Sequence, residues 1–226
     1  QTPGVNTPSA AAVCAAVIGL ARLEHTPNGM MFTNGLLSVM FATGMFSTAL
    51  ARMGERQRRE AQLDSLTGCL NRRSFGDQFQ KEAERSRRLG LGVAVLFLDL
   101  DRFKALNDRF GHGLGDHVLE RVARRVEGAL RETDLLFRWG GEEFVVLLPH
   151  TLPGEAPVLA ERIRAAVAER AFVASEAHPE VAVTVSVGVA GTTAWPVDPD
   201  ALLASADAAC YQAKARGRNQ VSSAGA

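Results

Sequence analysis

A chain of 226 residues with 46% hydrophobic content has enough apolar side chains for a real core, in one large domain or in one medium domain with an appendage. Its 25 basic and 25 acidic residues cancel, so no global field favours nucleic acid as a partner, and phosphate recognition falls to local groups. Cys14, Cys69 and Cys210 lie far apart, which supports neither a disulfide framework nor a zinc site.

The first 63 residues differ from the rest. Residues 30–50 form an uncharged run, long enough as a helix to cross a hydrocarbon core of about 30 Å. Arg52, Arg56, Arg58 and Arg59 follow it, which by the positive-inside rule places the C-terminal side in the cytoplasm of a bacterial inner-membrane protein. The run also holds Thr33, Asn34, Ser38 and Thr43, so a buried soluble helix is the alternative. The expected layout is an N-terminal apolar segment over 1–51, a polar helical connector over 52–63 and a separate domain over 64–226.

Within that domain, residues 64–68 read as a turn and 71–89 as a charged helix. Residues 93–98 are continuously apolar, as in a strand covered on both faces, and end at Asp99. From Gly115, the positions Val118, Leu119, Val122, Ala123, Val126 and Leu130 follow helical spacing. Residues 134–137 and 144–148 flank Gly140 and Gly141 as a β-hairpin, for which adjacent glycines predict a two-residue turn with positive φ. Another amphipathic helix covers Val158 to Val167, a strand 181–190, and a last helix Leu202 to Ala213. Helix, strand, helix, hairpin, helix, strand, helix predicts an α+β domain with helices packed on a mainly antiparallel sheet.

Chemistry concentrates at a few places. The hairpin tip, Arg138-Trp139-Gly140-Gly141-Glu142-Glu143-Phe144, sets two carboxylates beside a backbone that phosphates can approach closely, the alternative being a surface turn with solvated glutamates. Asp99 ends a buried strand, with Lys104 five residues on. Asp99 and Glu142 converging from different elements would suit magnesium, which takes one or two carboxylates plus substrate phosphates. Asp99 and Asp101 are alternatively turn formers or helix N-caps. Asn107 and Asp116 flank a glycine-rich turn. A carboxylate can accept both hydrogens of the guanine N1 and amino edge, a pairing adenine lacks, so Asp116 is either a base reader or a helix cap. His112 is read as structural.

Together, residues 64–72, 99–104, 107–108, 110–116, 138–144 and 214–219 closely resemble the GGDEF family of diguanylate cyclases, in its Gly-Gly-Glu-Glu-Phe variant, over about 160 residues. Cys69 stands where the family usually has Leu, a packing change. The resemblance implies a palm-like, nucleotidyl-cyclase-type sheet that condenses two GTP into cyclic di-GMP and pyrophosphate across a homodimer. It implies that Asp99, the Leu100 carbonyl and Glu142 bind Mg2+, with Mn2+ as the alternative ion, and that Glu143 supports them. By the same token, Asn107 and Asp116 would read guanine, and Lys104, Lys214, Arg218 and the amides of Arg102 and Phe103 would hold the β- and γ-phosphates. Gly140 and Gly141 would give clearance for GTP. Arg131 and Asp134 match the family's Arg-x-x-Asp product-inhibition pattern, with Arg162 as a further contact from a neighbouring domain; a surface salt bridge is the alternative. Two other readings stand beside the enzyme: a catalytically silent module that binds GTP or cyclic di-GMP, and a cyclase acting on ATP, which Asn107 and Asp116 argue against.

Overall fold

The computed structural model describes residues 40–43, 45–47, 62–169, 171–172 and 180–225. The chain divides into two compact units, Gln1–Ala61 and Gln62–Ala226. In the first, residues 40–43 and 45–47 are helical. The expected spanning helix at 30–50 otherwise lies outside the described residues, among which no helix is long and apolar enough to cross a membrane.

The second unit contains β1 (Leu70–Asn71), α1 (Phe75–Arg88), β2 (Val93–Leu100), α2 (Phe103–Phe110), α3 (His112–Glu127), β3 (Leu135–Arg138), β4 (Glu143–Pro149), α4 (Ala156–Ala168), β5 (Val185–Thr192), α5 (Pro199–Ala215) and β6 (Val221–Ser223). The six strands form one sheet in the order β1-β3-β4-β2-β5-β6. Its four inner strands are antiparallel to their neighbours, while β1 on β3 and β6 on β5 pair parallel at the edges. The mainly antiparallel α+β expectation holds.

Strand β2 sits at the centre, and all eight of its residues are buried. Side chains alternate across a strand, so β2 feeds two cores. Ala94, Leu96, Leu98 and Leu100 pack with Phe103 and Leu106 of α2, Val118 and Val122 of α3 and Ile163 of α4. Val93, Val95 and Phe97 pack with Phe75 and Phe79 of α1 and Leu203, Ala206 and Cys210 of α5. This two-sided burial explains the unbroken apolar run, and the parity places Asp99 on the α1/α5 face.

Several boundaries depart from the pattern reading. The strand expected to end at Asp99 continues through Leu100 and carries Asp99 inside the ladder. The helix expected from Asn71 opens as a 3-10 turn over Arg72–Ser74, where the Asn71 carboxamide accepts from the Ser74 amide at 3.3 Å, and α1 follows. The strand expected over 181–190 forms over Val185–Thr192, Val181 making only an isolated bridge with Phe172. Helix α2 was hidden because its eight residues are half polar and too few to show a period, with only Phe103 and Leu106 buried.

Helix α5 starts with Pro199 after an Asp198 carboxylate that accepts from the Asp200 amide, a favourable N-terminus. It meets β5 at Gly188, where any Cβ would collide with the Ala206 carbonyl and the Cys210 amide. Backbone cannot yield as a side chain can. Gly188→Ala is therefore expected to lower unfolding free energy by about 1–3 kcal/mol through overpacking, measured by urea denaturation; an unchanged midpoint would contradict backbone contact between α5 and β5.

Candidate active site

The hairpin brings the acids to the centre of the sheet. Antiparallel pairing of β2 with β4 sets Asp99 directly opposite Glu143, and pairing of β2 with β5 sets Asp99 opposite Ser186. Side chains facing each other in this way have Cβ atoms roughly 4.5–5.5 Å apart, and like charges there repel. Glu142 joins them from the neighbouring position, its carbonyl accepting from the Leu100 amide at 3.2 Å. Asp99 is 5% exposed, and its Oδ2 receives Lys214 Nζ at 2.5 Å. The lysine sits in the last turn of α5, on the face that also carries Cys210 against Ser186.

Charge in this cluster is unbalanced. Burial raises the Asp99 carboxyl above its ordinary range against the pull of Lys214, and Asp101 and Asp207 add to the rise. Burial and then the Asp99 charge also raise Glu142 and Glu143. For Lys214, burial works against the ammonium, but Asp99 outweighs it and the net shift is upward. The two partners of one ion pair thus both move up; the direction for Asp99 follows from a nearly buried acid among other acids with a single ammonium close by. The adjacent Cys210 thiol is pushed up to about 12 by burial and is no nucleophile.

The hairpin turn differs from the two-residue primed type. Four residues, 139–142, separate β3 from β4, the amides of Trp139 and Gly140 both donate to the Glu143 carbonyl, and neither glycine has positive φ. A Cβ at Gly140 would displace the Glu143 carboxylate, whereas Gly141 faces open space. The tip is stapled from the side. Arg138 donates to both Asp64 oxygens at 3.0 and 3.2 Å and to the carbonyls of Gly140 and Gly141. Asp64 also accepts from the Thr67 amide and hydroxyl, which ties residues 64–68 to the hairpin.

Asp101 is not the N-cap of α2; that position is Arg102, at φ 57° and without a side-chain cap. Asp101 instead accepts from Thr184 Oγ1 at 2.6 Å, Ser186 Oγ at 2.7 Å and the Asn219 amide at 2.9 Å. It clamps the end of β2 to β5 and to the turn after α5, a role that nothing in its spacing revealed. That turn brings Arg218, at φ 65°, to a cleft of about 460 Å3 shared with Arg102 and with Arg109, which the sequence reading passed over. Lys104 is exposed on the first turn of α2, and Phe103 is buried under it.

On the other side of α2, the half-buried Asn107 carboxamide packs against Gly115, where a Cβ would collide with it. Its Oδ1 is buried without a hydrogen-bond partner. Asp116 lies in the second turn of α3, whose N-cap is Gly111, so helix capping does not account for it; its side chain is exposed.

Arg131 and Asp134 form a closed turn rather than a surface salt bridge: Asp134 is buried, its Oδ2 accepts from the Arg131 amide at 2.8 Å, and burial raises its carboxyl. Arg162 of α4 donates to the Ala129 carbonyl just past α3, a favourable place for a cation. It lines a separate cleft of about 630 Å3 with Arg125 and Glu169.

Among the described residues, no group of three or more His, Cys, Asp or Glu side chains is placed to hold a metal ion by itself. Asp99, Glu142 and the Leu100 carbonyl carry hard oxygens, the donor type that a magnesium-like ion takes alongside phosphates.

These features define an α+β domain of GGDEF type. The coiled coil and GGDEF domain of DgcB from Caulobacter crescentus, solved with c-di-GMP, has a TM-score of 0.75 at 29% identity, covering 84% of this chain and 99% of that one. SiaD from Pseudomonas aeruginosa, solved with its activator SiaC, gives 0.70 at 33%, covering 95% and 82%. The family model "Diguanylate cyclase, GGDEF domain" matches residues 61–220, and the chain belongs to this family. The response regulator PleD of Caulobacter vibrioides is 44% identical over 70% of this chain and 35% of its own length, and the diguanylate cyclase DosC of Escherichia coli 36% over 82% and 40%. The chain thus spans well under half of these curated relatives.

The staple has a pH signature. Burial pushes Asp64 up, but Thr67 and Arg138 together hold it below the ordinary range, so its contribution is present above a pH of about 4 and lost as pH falls through its lowered pKa. Arg138→Met is expected to lower unfolding free energy at pH 7 by about 1 kcal/mol, with the deficit shrinking below pH of about 4. An equal deficit at both pH values in urea titrations would refute the pair as its source.

Proposed function

We propose that the protein is a diguanylate cyclase that condenses two GTP into 3',5'-linked cyclic di-GMP and two pyrophosphates, at the interface of a homodimer. The observation that carries this reading is the facing of Asp99 and Glu143 across β2 and β4, with Glu142 beside them. A divalent cation, Mg2+ or Mn2+, would be held by Asp99, Glu142 and the Leu100 carbonyl; when bound, it supplies charge neutralisation at the reacting phosphate. Glu142 is the carboxylate assigned to assist deprotonation of the attacking 3'-hydroxyl, and Glu143 supports it. Asn107, with its open buried acceptor, and Asp116 read guanine. Lys104, Lys214, Arg218 and the amides of Arg102 and Phe103 take the β- and γ-phosphates, a reading supported by Arg102 and Arg218 lining one cleft. A relative from Vibrio cholerae, 32% identical with a TM-score of 0.63, is described as an active GGEEF domain, in keeping with activity for the Glu variant.

One domain presents one such site, so forming two phosphodiester bonds requires two domains face to face. Residues 1–51 and the connector 52–63 are assigned to dimerisation and signal input ahead of a cytoplasmic catalytic domain over 64–226, with 30–50 as the membrane span. Arg131, Asp134 and Arg162 are assigned to product inhibition.

The test is purified full-length chain with Mg2+ and either GTP or ATP, products separated by chromatography. Cyclic di-GMP from GTP alone is expected. Its absence at protein concentrations that allow dimers would leave a silent nucleotide-binding module. Glu142→Gln is expected to abolish synthesis while circular dichroism stays unchanged, and retained synthesis would overturn its assignment. Arg131→Ala is expected to raise the cyclic di-GMP concentration for half-inhibition by on the order of tenfold or more, the loss of one charge-assisted contact; unaltered inhibition would remove Arg131 from the site.

A further inference from the structure

The strongest ionic contact of the site joins two groups that the proposed reaction needs apart. The proposed reaction requires Asp99 for a cation and Lys214 for phosphates, yet the ammonium sits on Asp99 Oδ2 at 2.5 Å. Asp99 is almost wholly buried, and a buried carboxylate without a counter-charge is costly. No other ion pair to Asp99, Glu142 or Glu143 occurs among the described residues. Lys214 has the means to leave. Its side chain is one-third exposed, on a flexible four-carbon stem one residue before the end of α5.

We propose that Lys214 is the resident counter-ion of Asp99 and is exchanged for the divalent cation when a triphosphate draws the ammonium away, so that metal and nucleotide bind cooperatively. This rests on the reading of Asp99 as a cation ligand. Before nucleotide arrives, an incoming cation must displace an ammonium already seated on a buried carboxylate. A triphosphate offers that ammonium a stronger partner and supplies the missing metal ligands, so each ligand strengthens the other.

The experiment measures Mn2+ binding by electron paramagnetic resonance, without nucleotide, on the full-length parent, Lys214→Met and Lys214→Arg. Lys214→Met is expected to bind Mn2+ on the order of tenfold more tightly than the parent, the equivalent of losing one partly exposed charge competitor. Lys214→Arg, which keeps the charge, stays close to the parent. Equal affinity in parent and Lys214→Met overturns the exchange, as does a Lys214→Arg that binds as tightly as Lys214→Met. Should Lys214→Met not fold, nitrogen-15 NMR of the parent decides: the ammonium signal of Lys214 paired with Asp99, assigned by its loss in Lys214→Arg, is replaced by one at a different chemical shift when Mg2+ and a non-hydrolysable GTP analogue are added together. Persistence of that signal refutes the proposal. Neither readout uses catalysis, so a protein that makes no cyclic di-GMP but shows these changes loses the cyclase reading and keeps the exchange.

Discussion

Antiparallel pairing of β2 and β4 forces Asp99 and Glu143 to face each other, and the rest of the site follows from containing that repulsion. A sheet does not normally place two carboxylates opposite each other at a buried position. Here one ammonium, Lys214, is brought against Asp99 by α5, which lies on β5 at backbone contact over Gly188. Packing on one face of the sheet and electrostatics at its end are thus one constraint.

The hairpin carries the second half of that constraint. With no positive-φ residue at the tip, its shape is maintained from outside, by an Arg138 guanidinium that bonds Asp64 and two tip carbonyls at once. Asp101 acts similarly at the other edge, tying β2, β5 and the turn before β6 with three hydrogen bonds to one carboxylate. Acids that could be mistaken for further site ligands therefore serve as fasteners. Their removal would act on the site through geometry.

The two ends of the nucleotide region are prepared differently. Around Lys214 and Asp99, charge is already paired and must rearrange when ligands enter. Around Asn107, the proposed base end, a buried carboxamide oxygen packs on Gly115 without a hydrogen-bond partner. Recognition at an unpartnered buried polar group discriminates strongly, because a base without the matching donor leaves that group unsatisfied.

The α+β class, the central strand and the helices at 112–127, 156–168 and 199–215 were legible because long apolar periodicities depend only on local sequence. The residues Asp99, Glu142, Glu143, Asn107 and Asp116 carry the resemblance to the family by their types and order. Helix α2 escaped because an eight-residue helix, half of it polar, has little periodicity to read, and the hairpin turn differs from its glycine pattern because its tip is shaped by Arg138 rather than by glycine φ. Only the tertiary structure decided which acids face each other, that Lys214 sits on Asp99, and that Asp101 fastens while Asp99 lines the site. The reason is physical: strand register, helix seating and hydrogen bonds between residues 74 to 118 positions apart depend on distances that no local pattern contains.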